Sequence, residues 1–112
     1  MNGIEQKAFN YIPIEKEMIP YSFDIRVAGE TFTFTINYNL DNDFFTVDLM
    51  RDTEVLAYGE VLTYGRALFS SYADERFPRM PIIPYDLSMQ EERVGWENFM
   101  EKVFLFIIEE AG

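Results

Sequence analysis

Asp and Glu, twenty of the 112 residues, are the side chains in this sequence best able to do chemistry. Pairs such as Asp52/Glu54 and Glu91/Glu92 are of the type that acid–base hydrolysis uses, one carboxyl held protonated and the other ionised. With so many acids, such pairs arise by composition alone, and no neighbouring feature marks one as buried or shifted. Asp41-Asn42-Asp43 has the opening of a calcium loop. Phe45 stands at the third ligand position, however, and no glycine follows for the sharp turn, so the segment reads as a hairpin turn. Histidine and cysteine are both absent. The chain therefore lacks the commonest general base and metal ligand, and neither a disulfide nor a thiolate metal site is possible. Nucleophile motifs and phosphate loops are missing, and none of Lys7, Lys16 and Lys102 sits beside a glycine-rich turn. These residues predict no catalytic, cofactor or metal site.

The pattern that organises the chain is structural. From Tyr21 to Met50 three runs alternate strictly. Tyr21, Phe23, Ile25 and Val27 take every second position in the first run, and Phe32, Phe34, Ile36 and Tyr38 do so in the second. Phe45, Val47 and Leu49 do so in the third. A pleated strand sends successive side chains to opposite faces, so each run separates its apolar residues from its hydroxyls and charges. A helix would scatter them around its circumference. Ala28-Gly29-Glu30 and Asn39 to Asp43 supply turn residues between the runs, Gly29 because it accepts positive φ. Two consecutive hairpins make a three-strand meander.

Around the meander the reading is coarser. Residues 1–10 form an N-terminal arm, and Phe9 to Ile14 an edge strand, because Pro13 cannot donate to a central ladder. Val55 to Leu62 resumes a strand, with Val55, Ala57, Gly59 and Val61 assigned to one face. Gly59 suggests a bulge there. Arg66 to Phe69 is read as a short continuation. Pro78, Pro81 and Pro84 fall three apart and predict a stiff connector, after which Tyr85-Asp86-Leu87 drops back onto the core. A turn near Trp96–Met100 then leads into a closing strand from Lys102 to Glu109, whose Val103–Ile108 run is apolar enough for burial on both faces. The predicted fold is all-β and mainly antiparallel, a single domain of residues 11–112. It is a small barrel or sandwich built on the meander, with the proline-rich connector and the closing strand.

Composition limits the partners. A net charge of −11 opposes stable binding to nucleic acid, whose affinity rests on Lys and Arg. No apolar run approaches the roughly 20 residues of a membrane span, and no leader is visible at the start. A soluble protein made in a cytoplasm is expected. Eleven Phe and seven Tyr are more aromatics than one small core readily absorbs, and such residues are enriched at protein interfaces. Three regions are candidates for contact. The first is the basic, irregular segment with Arg66, Phe69, Tyr72, Arg76, Phe77 and Arg79. The second is the N-terminal arm. The third is the turn carrying Asp41 and Asp43. Phe44, on the outward side of the third strand, suggests that the Thr-rich face of the meander meets a neighbour.

The order of blocks YIPIEKEMIPYSFDIRVAGETFTFTINYN, DFFTVDLMRDTEVLAYGEVLTYGRALF, RFPRMPIIPYDLS and GWENFMEKVFLFII resembles the small baseplate plug family of contractile-tailed phages, typified by a cyanophage baseplate plug. The likeness runs from about Tyr11 to Ile108 and rests on structural signatures. It implies a non-enzymatic virion component, synthesised in the host cytoplasm and placed near the axis of the tail baseplate. The implied partners are the hub, the spike and neighbouring copies of itself, three or six around the axis, with the lower end of the tail tube closed until ejection. The competing reading is an acidic free-standing binding module, such as a phage-encoded inhibitor that mimics DNA.

Overall fold

The computed structural model describes residues 10–109, so the predicted arm lies outside the described residues except for Asn10. Among the described residues seven strands form two antiparallel sheets. The meander appears where the alternation places it, as β2 (Tyr21–Val27), β3 (Glu30–Asn39) and β4 (Phe44–Arg51), and β5 (Glu54–Val61) extends it to a four-stranded sheet in the order β2-β3-β4-β5. The second sheet has the order β1-β7-β6, from β1 (Asn10–Ile12), β6 (Ile82–Tyr85) and β7 (Phe104–Ile107). The sheets share one core in a sandwich-like arrangement, and among the described residues no barrel closes.

Alternation decides what enters that core. Phe32, Phe34 and Ile36 of β3 and Phe45, Val47 and Leu49 of β4 are buried on the inner side, and Ile12, Ile82 and Leu105 face them from the small sheet. The hairpin between β2 and β3 turns through Ala28 and Gly29, both at positive φ, which suits the right-handed twist of the flanking strands. The next turn is built by Asn39, whose carbonyl accepts from Asp43 N–H (2.8 Å) and whose side chain accepts from Asn42 N–H (2.9 Å).

Four expectations need correction. The faces of β5 do not simply alternate. Two register shifts against β4 insert extra residues, one near Tyr58 and Gly59 and one at Leu56. Ala57 and Leu62 are therefore buried while Val55 and Val61 turn outward. Gly59, at positive φ, donates its N–H to Asp48 Oδ1 (2.7 Å) at the first of these bulges. Secondly, half of the proline-rich connector is a strand. Pro84 fits because β6 is an edge: its carbonyl accepts from Gly65 N–H (2.8 Å) on the side away from β7, so its missing N–H faces that side too. Thirdly, Asp86 is buried and Leu87 exposed, the reverse of a simple return to the core. Arg66 to Phe69 is a run of coil and turn, held by Leu68 N–H to the Ile82 carbonyl (2.8 Å), and no extension of β5.

Candidate protein interface

The outer side of the small sheet is aromatic. Register pairs Tyr11 with Phe106 and Phe104 with Tyr85, and sets Ile83 opposite Phe106. These residues alternate with the core-facing Ile12, Leu105, Ile82 and Pro84, so all five project from the sandwich. Tyr64 joins them by stacking on Tyr85 with ring centres 5.3 Å apart. Tyr11 lies 4.8 Å from Phe104 and 6.4 Å from Phe106. Phe106 is buried although it stands apart from the main core, and Tyr11 remains 46% exposed. Six large apolar or aromatic residues thus cover one face, and no charged residue interrupts their strands. The Val103–Ile108 run announced a strand apolar on both faces, and that was the available signal. Tyr11, Tyr64, Ile83 and Tyr85 carried none, because they come from separate stretches that only the sheet order joins.

A groove of about 1190 Å³ opens beside the Asp43 turn, with Lys16, Tyr38, Arg93, Trp96 and Lys102 among its walls. Asp43 ties that turn to the C-terminal segment. Its carboxylate accepts from the Tyr38 hydroxyl (2.6 Å) and from Trp96 N–H (2.8 Å), and Arg93 donates to its Oδ2 (3.1 Å) and carbonyl (3.0 Å). The Tyr38 hydrogen bond, then that from Trp96, holds the Asp43 carboxyl below its usual range, and the same bond raises the Tyr38 hydroxyl. Gly95 leaves room for this contact, since a Cβ there would meet the Arg93 guanidinium and lie 2.6 Å from Asp43 Oδ2. Trp96 stacks on Phe45 at 6.0 Å, beneath the Lys16 ammonium. Among the described residues the groove's walls hold one ion pair, Arg93 with Asp43, beside the ring contacts of Trp96. Among the described residues no group of three or more acids could hold a metal ion.

The protein-family model described as "Cyanophage baseplate Pam3 plug gp18" matches residues 9–110. The chain belongs to this baseplate plug family. No curated protein and no solved structure matches it. Its role is that of a non-enzymatic structural part of a phage baseplate, located in the virion.

In this plug-family chain the residues singled out from sequence fall into three groups. Phe69 and Phe77 are core, each 5% exposed, with Phe69 edge-on to Phe34 at 6.2 Å. Their rings are taken up inside the chain, so they are not surface contacts. Tyr72 stacks on Phe77 at 4.5 Å and stays half-exposed. Arg76 is exposed but engaged: it pairs with Asp74 (2.6 Å) and Glu54, and its carbonyl accepts from Arg51 (3.3 Å). Those acids push the Arg76 guanidinium further up, and Arg76 draws Asp74 down to about 2. Arg66, Arg79 and Asp41 are exposed on loops, Phe44 is half-buried on the outer side of β4, and Asp43 serves the link described above. The structure does not gather these residues into one patch.

Proposed function

We propose that this chain seats in the baseplate by the aromatic outer face of its small sheet. There it closes the lower end of the tail tube against the hub, the spike or a neighbouring copy. The supporting observation is that face itself, with Tyr11, Tyr64, Ile83, Tyr85 and Phe104 on it. Large aromatics set in a continuous patch are the residues that carry binding energy at interfaces. A plug also has to release, and a contact made of side chains on one sheet face separates without unfolding either partner.

The test is incorporation. Ile83→Lys combined with Tyr85→Lys places two charges on the face at half-exposed positions. Virions from cells supplying only this variant should hold less than about one-tenth of the normal amount of plug by quantitative mass spectrometry, a loss of at least ~1.4 kcal/mol in docking. Far-UV circular dichroism of the purified variant should match the parent. Normal incorporation of a folded variant would reject the face.

A further inference from the structure

The two edges of the four-stranded sheet are built differently. β5 is blunted by its two bulges, a common device against unwanted strand pairing. β2 has none: seven residues, Tyr21–Val27, pair with β3 without a register shift. Its two-residue turn closes on the Val27/Glu30 pair, so Val27, Ile25, Phe23 and Tyr21 direct their backbone groups to β3. Ser22, Asp24 and Arg26 direct theirs outward, and among the described residues no backbone hydrogen bond reaches them. The inner side chains reflect the same opening. Tyr21, Phe23 and Ile25 are half-buried, whereas their neighbours on β3, Phe32, Phe34 and Ile36, are fully buried.

We propose that β2 pairs antiparallel with β2 of a second copy of this chain, joining two four-stranded sheets edge to edge. The charges select both partner and register. An antiparallel pair centred on Ile25 sets Asp24 of each copy opposite Arg26 of the other, twice over. On the inner side it sets Ile25 against Ile25 and Phe23 against Val27. Shifting the centre to Asp24 or Arg26 would place like charges together, and shifting it to Phe23 would lose both ion pairs. Thr33 Oγ1 donates to Asp24 Oδ1 (2.7 Å), which leaves Oδ2 for a partner. Arg26 spends one Nη2 bond on the Gly29 carbonyl (3.2 Å). Direct opposite-charge and β-branched cross-strand pairs are stabilising contacts of a sheet. A two-fold contact is closed and cannot propagate around a tail axis. The pair is therefore the form of the free protein, separate from its docking by the small sheet.

Charge exchange tests this directly. Sedimentation velocity of the full chain over a concentration series should show a monomer–dimer equilibrium. Asp24→Arg alone and Arg26→Asp alone each create two like-charge pairs and should weaken the dimer by roughly tenfold or more. The double exchange, Asp24→Arg with Arg26→Asp, restores two opposite pairs and should recover most of the affinity. Both positions are exposed, and unchanged circular dichroism would show that the variants fold. A parent that stays monomeric overturns the proposal, as does a dimer that ignores the single exchanges or a double variant no tighter than either single one.

Discussion

The two sheets of this sandwich show opposite outer faces. On the β2–β3 half of the large sheet, Ser22 bonds Thr35 (2.6 Å) and Thr33 bonds Asp24 (2.7 Å). These short side chains satisfy one another and leave a surface that water can wet. On the small sheet, Tyr11, Phe104, Ile83 and Tyr85 face outward, and among the described residues they have no such pairing to water-loving neighbours. The inner faces are alike, since both feed a single core of Phe, Ile, Leu and Val. The difference teaches that one sheet has a wettable outer surface while the other carries the apolar face proposed above as the contact. The large sheet is also made locally, from four consecutive strands, whereas the small one joins strands from distant parts of the chain.

Damage to the large sheet's inner face should cost most. Phe34 is fully buried, and Phe34→Ala should lower stability by about 3–5 kcal/mol, read by urea unfolding, with both sheets lost together. Unfolding of the small sheet alone in that variant would show that the two halves are not one cooperative unit. Acid should act next, through the loop that leaves β6. Buried Asp86 accepts from Ser88 N–H (2.9 Å) and Oγ (2.7 Å), Gln90 N–H (2.9 Å) and Glu91 N–H (3.0 Å). The Ser88 hydroxyl bond leads these in holding its carboxyl at about 2, against an ordinary 3.8. A depressed carboxylate stabilises the folded chain fully above its unfolded value, and that contribution is lost as pH falls through the folded one. Melting temperature should therefore fall by several degrees between about pH 4 and about pH 2, and Asp86→Asn should flatten that part of the curve. Thr33→Lys, on the wet face, should have the smallest effect: within about 0.5 kcal/mol of the parent, with normal incorporation into virions. Set beside Ile83→Lys with Tyr85→Lys, it separates the two faces by function and not by charge alone.

Legibility from sequence followed the same division. Strict alternation made β2, β3 and β4 readable almost to the residue, because one strand's periodicity already decides which face is buried. Gly59 announces its bulge, but the second shift at Leu56 leaves no mark in the sequence, so alternation alone puts Val55 on the face of Ala57, whereas it turns outward. The basic segment looked like a surface because Arg66, Arg76 and Arg79 dominate its composition. Whether Phe69 and Phe77 turn inward depends on the open inner face of β3, which lies far off in sequence. The aromatic face was hidden for a related reason. Its members sit on strands too short for a pattern, and only the order β1-β7-β6 makes them neighbours.

That order has a consequence for synthesis. β7 follows every other strand in the chain, yet it is the central strand of the small sheet, and both β1 and β6 pair with it alone. At ribosomal speeds of roughly 5–20 residues per second, the meander is complete several seconds before Phe104 emerges. Until then β1 and β6 have no strand between them, and the aromatic face does not exist. A nascent or truncated chain that stops short of β7 therefore lacks both the small-sheet half of the shared core and the face proposed above for docking.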